Sequence, residues 1–271
     1  MAVLAPDVAP EDPRSLFLDA GVERRGDGLL WMGGVSLDAV AREVGTPTFV
    51  YHADVVRDRY RALTAAFAGI DHEIHYAVKA NSSLGILALL RDQGAGADIV
   101  SVGELARVQR AGLAPTAVVF SGVGKTDAEL AAAVDAQIAS INIESPDELA
   151  AIELIVAQRP LGAPVRLGIR VNPDVSAETH PYISTGTRGI KFGVPAEQVP
   201  DLVGRIAANP RLTLVTLAMH LGSQLLQTEP FVRGAALLLG LVDACRQAGV
   251  GSLEAIDIGG GLGIRYRDEV P

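Results

Sequence analysis

The sequence predicts an α/β protein built around a parallel sheet, of the TIM-like (β/α)8 barrel class. Seven short runs rich in β-branched and apolar residues alternate with amphipathic stretches of helical length. The early runs recur about every twenty residues, which is the spacing of βα units around a parallel sheet. A glycine-rich stretch follows the last run, and a phosphate loop after a late strand is typical of TIM-like barrels.

The predicted strands cover residues 72–78, 97–100, 117–120, 140–143, 165–171, 214–221 and 253–258. Most of them are almost continuously apolar, as expected for strands that are covered on both faces. A barrel of this class closes with eight strands, so we expect the barrel to be incomplete at its C-terminus. Two further strand-like pieces, LLWM (29–32) and TPTFVY (46–51), precede the repeat.

We therefore expect two domains. Residues 1–45 would form an N-terminal arm and a strand of a β-rich second domain that is otherwise missing. Residues 46–271 would form the truncated barrel.

Helix-start signals lie between the predicted strands. Two pairs of residues have the spacing of a capping box. In the later pair, Pro146 would take the first position of the helix that follows. The pairs are Thr126 with Glu129, and Ser145 with Glu148. Before the first strand, one helical face is predicted from Val56, Tyr60, Leu63 and Phe67.

A doubly wound sheet is the alternative to a barrel. It would place a phosphate loop after its first strand, whereas the glycines here follow the last one, in DIGGGLGI (257–264). Ile264 also occupies the third glycine position of the dinucleotide fingerprint. These two observations favour the barrel.

The composition excludes several classes of protein. The 271 residues are 49% hydrophobic and 20% charged, which argues against disorder. The formal net charge is −9 without basic clusters, so nucleic acid and anionic membranes are not expected as partners. The only cysteine, Cys245, lies in an apolar helical run and is predicted to be buried and structural. With no signal peptide recognised, the expected location is the cytoplasm.

Lys79, in HYAVKAN, is the first candidate for chemistry. It follows an apolar strand at the carboxyl end, the face on which barrels build active sites. A partly apolar setting lowers the pKa of a lysine amine and suits it to Schiff-base formation. On position alone, a solvated lysine at a strand end is the more common explanation.

Two further groups follow later strands. Gly259, Gly260 and Gly261 would let the backbone approach a phosphate closely, although a tight turn would explain them equally well. His220 ends an apolar strand, where its ring could pack on a flat ligand while Ser223 donates to a phosphate. A histidine at such a place is more commonly a hydrogen-bonded structural residue.

The segment 172–193 is long and polar, and loops of this length are usually functional or disordered. It contains His180, Thr185 and Lys191.

Taken in order, these motifs carry a resemblance. HYAVKAN, GADIVSVGEL, THPYISTGTRGIKFGV, HLGSQ and DIGGGLGI together resemble the alanine-racemase-like (fold type III) enzymes that depend on pyridoxal 5'-phosphate (PLP). Within this group the chain is most similar to the diaminopimelate decarboxylase family, and THPYISTGTRGIKFGV is the most specific block. The resemblance extends from about residue 28 to the end of the chain.

The resemblance implies a role for each candidate. Lys79 would bind PLP as a Schiff base, His220 would stack on its ring, and Ser223 with the 259–261 backbone would hold its phosphate. The reaction would be decarboxylation of meso-2,6-diaminopimelate to L-lysine and CO2, by a cytoplasmic homodimer without a metal.

Parts of the family pattern are absent from these residues. The family has a Glu-Pro-Gly-Arg segment after the next strand and a β-rich domain with interface Cys and Tyr residues. We therefore expect this chain alone to be inactive. The alternatives are a decarboxylase for ornithine, arginine or carboxynorspermidine, a non-catalytic PLP-binding barrel, and an inactive remnant.

Overall fold

The computed structural model describes residues 21–26, 28–174 and 192–264. The chain divides into two compact units, one of residues 1–71 with 264–271 and one of residues 72–263. None of the described helices combines the length and the apolarity needed to cross a bilayer.

The first unit contains a small antiparallel sheet and two helices. Strands β1 (Val22–Arg24), β2 (Leu30–Met32) and β3 (Val35–Ser36) lie in that order, followed by α1 (Leu37–Val44) and α2 (Ala53–Ala66). The LLWM prediction is confirmed by β2, and the helical face predicted around Val56 lies on α2. The TPTFVY residues lie in no strand of the described chain, and Phe49 is 87% exposed.

The second unit is a parallel sheet whose strands alternate with helices. Its main path runs β4 (His75–Ala77), β5 (Gly96–Ile99), β6 (Val118–Phe120), β7 (Ser140–Ile143), β8 (Val165–Asn172), β10 (Leu212–Ala218) and β11 (Ala255–Asp257). A short strand, β9 (Val194–Pro195), pairs with β8 off this path. All seven predicted strands are present in the predicted order, so the incomplete barrel class is confirmed.

The helices of this unit follow the strands. They are α3 (Leu84–Asp92), α4 (Val102–Arg110), α5 (Asp127–Ala136), α6 (Pro146–Ala157), α7 (Val199–Ala208) and α8 (Glu229–Gln247). The predicted structural role of Cys245 agrees with its position on α8, where its free thiol is buried.

The predicted capping boxes differ in outcome. At α5 both bonds of the box form between Thr126 and Glu129. At α6 the Ser145 hydroxyl accepts the N–H of Glu148, and Pro146 takes the first position as predicted. The Glu148 carboxylate, however, accepts the N–H of Glu144 and pairs with Lys125, so this box is only half formed.

The two faces of the sheet have opposite character. One face packs apolar side chains such as Ile99, Phe120 and Ile141 into the core. Because successive strand residues point to opposite faces, the other face receives residues such as Asp98 and Asn142. β7 is buried along its whole length, so the expected covering of both faces is confirmed there, although this second face carries polar side chains.

The sheet curls so that its end strands approach one another. In a flat sheet, β4 and β11 would be six spacings of about 4.8 Å apart, or about 29 Å. Charges separated by more than about 10 Å are largely screened. Yet the charge of His75 on β4 lowers the pKa of Asp257 on β11. The first and last strands of the path therefore lie close enough for His75 and Asp257 to interact, as in a curled sheet.

Candidate active site

Lys79 lies where the sequence predicts it, at the carboxyl end of the first barrel strand. It is the central residue of a single 3-10 turn, Val78–Ala80, that directly follows β4. Val78 is fully buried and anchors this turn, whereas Lys79 is exposed. The positive charge of Lys79 lowers the pKa of both Asp98 and His220, so its amine belongs to their electrostatic neighbourhood.

His220 follows β10 and is held in its neutral form. Burial, together with the smaller effects of the charges of Arg170 and Lys79, lowers the pKa of His220 to about 4. The N–H of Gly260 donates to His220 Nδ1 at 3.4 Å. Since Nδ1 accepts, the proton of the neutral imidazole is on Nε2. A neutral ring of this kind can pack against a flat ligand without adding a charge.

The glycine loop 259–261 reaches His220 and the turn around Ser223. Gly259 and Gly261 have φ angles of +74° and +93°, which favour glycine. A Cβ on Gly259 would lie 2.5 Å from the carbonyl oxygen of Met219, and one on Gly261 would collide with the carbonyl of Gly222. The absence of side chains is therefore what allows the loop to pack on residues 219–223.

Hydrogen bonds complete this connection. Leu225 N–H donates to the carbonyl of Gly261, and Gly263 N–H donates to the carbonyl of Leu225, each at 2.8 Å. Ser223 is exposed beside the loop. On Gly260 an added Cβ would meet no other atom within 4 Å, so space for an anion remains on that side.

Asp257 shapes the loop, and the sequence analysis missed it. Its Oδ1 accepts the N–H of Gly259 at 2.7 Å. Burial raises the pKa of Asp257, while this hydrogen bond and the charges of His75 and Arg170 lower it. An acid two residues before three glycines was the signal available in the sequence.

Asp98, on β5, was missed as well. Burial raises its pKa to about 6; a hydrogen bond from Ser121 opposes the shift, and the charge of Asp257 adds to it. Its Oδ1 is buried without a hydrogen-bond partner among the described residues, as is Nδ1 of His75. An acid within the apolar run ADIV was the signal in the sequence.

Lys125 provides an instructive contrast to Lys79. Its side chain is buried, and Nζ donates to the carbonyls of Gly122 and Asn142 at 2.6 and 2.8 Å. Nζ also pairs with Glu148 at 3.2 Å. Burial lowers the pKa of Lys125, but every one of these contacts keeps the amine occupied. Lys125 is thus a structural lysine, and Lys79 is the better placed of the two for chemistry.

The structure brings several of the predicted site residues together. Direct packing brings together His220, Ser223 and Gly259–Gly261. Lys79 is linked to them because its charge lowers the pKa of His220. Their roles at a cofactor stay predictions. His180, Thr185 and Lys191 lie outside the described residues.

The site's chemistry fits a phosphate-bearing aldehyde. It combines an exposed amine, a neutral imidazole and an open glycine backbone, while a buried cation, Arg170, acts on the same residues. Glycine backbones accommodate phosphate, and a lysine amine condenses with aldehydes.

Comparisons with known proteins agree with this chemistry. Residues 53–271 match the family model described as pyridoxal-dependent decarboxylase, pyridoxal binding domain. The chain is 46% identical to the diaminopimelate decarboxylase of Pseudomonas aeruginosa over 245 residues, and 43% identical to that of Vibrio cholerae. Each alignment covers 90% of this chain and 58% of the relative, so the chain spans little more than half the length of these relatives.

Solved structures show the same relationship. Diaminopimelate decarboxylase from Helicobacter pylori, complexed with L-lysine, superimposes with a TM-score of 0.82 at 37% identity. That match covers 86% of this chain and 58% of the other. The enzyme from M. jannaschii gives a TM-score of 0.84 at 31% identity, covering 94% and 60%.

Proposed function

Since the chain belongs to the pyridoxal-dependent decarboxylase family, we propose that it forms the PLP-binding part of a decarboxylase that converts meso-2,6-diaminopimelate to L-lysine and CO2. The observation that carries the proposal is the hydrogen bond from the glycine loop to His220. The charge of Lys79 lowers the pKa of the same histidine. The substrate follows from the names of the relatives and from the L-lysine bound in the Helicobacter pylori structure.

Lys79 is the residue proposed to bind the cofactor covalently. Its amine is exposed at the mouth of the curled sheet, whereas Lys125 is buried among carbonyl and carboxylate oxygens. A substrate amine could replace Lys79 there without unfolding the site. Lys79 would then be free to move a proton at the reacting carbon.

His220, Ser223 and the glycines would hold the cofactor in place. The ring of His220 would pack on the flat face of PLP, and its low pKa keeps it neutral during turnover. Ser223 and the backbone on the open side of Gly260 would receive the phosphate. When bound, PLP supplies the electron sink that decarboxylation requires.

This chain covers 58% of the length of the Pseudomonas aeruginosa relative. The Glu-Pro-Gly-Arg segment that the family resemblance implies does not occur in its 271 residues. We propose that the activity belongs to a cytoplasmic homodimer, with residues 1–45 serving a β-rich domain and 46–271 the barrel. The 271-residue chain alone is expected to bind PLP weakly and not to turn over substrate.

Borohydride trapping tests the assignment. The purified chain would be incubated with PLP, reduced and mapped by peptide mass spectrometry. We expect the pyridoxyl label on Lys79, and a label on Lys125 or Lys191 would contradict the proposal. CO2 release from meso-diaminopimelate and from L-ornithine, measured on the complete protein, separates this substrate from the alternative.

A further inference from the structure

The buried carboxylate of Glu144 joins three neighbouring segments at the carboxyl end of the sheet. Its Oε1 accepts the N–H of Gly122 at 2.8 Å and Nη1 of Arg170 at 2.8 Å. Its Oε2 accepts the N–H of Gly193 at 3.2 Å. The Glu144 side chain is only 2% exposed.

The three partners come from different strands. Gly122 follows β6, Arg170 lies near the end of β8, and Gly193 directly precedes β9, while Glu144 itself follows β7. All of these positions are at the carboxyl end of the parallel sheet, where the candidate active site is built. Glu144 therefore fixes part of the rim on which Lys79 and His220 also lie.

Arg170 connects this junction to the candidate site. In the register of β8 and β10, Arg170 pairs with Ala218, two residues before His220. The Arg170 side chain is 10% exposed, and its charge lowers the pKa of both His220 and Asp257. These two residues accept the N–H groups of Gly260 and Gly259. A buried arginine requires a matched anion, so the position of the Arg170 charge depends on Glu144.

Glu148 offers an internal comparison. It lies one helical turn later, is 11% exposed and pairs with Lys125 instead of Arg170. Lys125 is tied to backbone carbonyls at Gly122 and Asn142. Glu148 contacts Glu144 at the backbone, whose N–H it accepts at 2.9 Å, and among the described residues it makes no ion pair with Arg170.

We propose that Glu144 is a positioning residue of the cofactor site, which holds the charge of Arg170 beside His220 and the glycine loop. The inference rests on the proposed PLP-binding function. It predicts that shortening Glu144 disturbs the site even when the net charge is unchanged.

Glu144→Asp and Glu148→Asp form a matched pair for the test, because each keeps its charge and loses one methylene. Partners that orient ligand-binding side chains contribute roughly tenfold or more to affinity in metal sites. We expect Glu144→Asp to weaken PLP binding by about tenfold, and Glu148→Asp by less than about twofold, by analogy with those sites. Affinity would be read from the visible absorbance of the bound cofactor in the 271-residue chain.

A second measurement requires no cofactor. The imidazole resonances of His220 would be titrated by NMR in each variant. In Glu144→Asp the charge of Arg170 is released, so the midpoint of His220 should rise above about 4; in Glu148→Asp it should stay there. Equal effects of the two substitutions, on affinity and on the His220 midpoint, would overturn the inference.

The two proposals can fail separately. An unsubstituted chain that binds no PLP contradicts the proposed function, while the His220 titration still decides the role of Glu144. If Glu144→Asp does not fold, the neutral pair Glu144→Gln/Arg170→Gln avoids an unpaired buried charge. That double variant should show the same loss of affinity, and unchanged affinity would again overturn the inference.

Discussion

Replacing Gly261 by alanine should break the packing of the glycine loop 259–261 against residues 219–223 and destabilise the protein. Its φ of +93° is one that an L-residue adopts at a penalty of about 1–2 kcal/mol. The new methyl group would also collide with the carbonyl of Gly222, and overpacking of this kind typically adds about 1–3 kcal/mol. Together these terms predict a loss of about 2–5 kcal/mol in the free energy of unfolding.

Gly260→Ala is the matched control. Its added methyl group meets no other atom within 4 Å, and its backbone is outside the left-handed region. We expect its stability to be unchanged or raised by about 0.4–1 kcal/mol. The methyl group would, however, occupy the open side proposed for the phosphate, so PLP binding should weaken.

Urea denaturation followed by circular dichroism would measure both stabilities, and absorbance titration would measure PLP affinity. The expected pattern is a stability loss for Gly261→Ala and an affinity loss without a stability loss for Gly260→Ala. Equal stabilities of the two variants would refute the packing argument. Unchanged PLP affinity in Gly260→Ala would refute the assignment of its open side to the phosphate.

Three further predictions concern the lysine, a buried acid and a helix cap. Lys79→Ala should abolish the borohydride-trapped pyridoxyl label while leaving the unfolding transition in place; a label that persists would contradict the role of Lys79. Because the pKa of Asp98 is raised to about 6, its ionisation should cost up to about 3 kcal/mol of stability as the pH rises from 4 to 6. Asp98→Asn should abolish this cost, as measured by urea denaturation across that range. An unchanged pH profile would show that Asp98 does not carry this titration. Thr126→Ala removes the complete capping box of α5 and should lower stability by about 1 kcal/mol, which a shift in the urea midpoint would report. A midpoint equal to that of the unsubstituted chain would contradict the capping argument.

Much of the barrel could be predicted because each strand carries a local signal. Apolar runs such as SINI and VRLGIRV keep Ile141 and Ile169 on the core face, and their order along the chain matches their order in the sheet. The piece TPTFVY carries the same local signal but finds no partner strand in the described chain. A strand requires a neighbour, and a single run of sequence cannot supply that information.

The polar half of the site was harder to predict. Asp98, Glu144 and Arg170 are single polar residues within or beside apolar runs, and their importance depends on partners from other strands. Such pairings are long-range and leave no spacing pattern. By contrast, the glycine triplet and the lysine after β4 are local motifs, which is why they were recognisable.

Burial gives Asp98 and His220 opposite contributions to the pH dependence of stability. The folded-state pKa of Asp98 is raised from 3.8 to about 6, so its contribution is present at low pH and is lost as the pH rises through this window. The pKa of His220 is lowered from 6.5 to about 4, so its contribution is present above 6.5 and is lost as the pH falls towards 4. Each shift corresponds to about 3 kcal/mol at most, so the two nearly cancel between pH 4 and pH 6. A flat pH profile of the unsubstituted chain would therefore conceal two large titrations. Asp98→Asn should make stability rise more steeply with pH than in the unsubstituted chain, because the Asp98 titration that opposes that of His220 is removed.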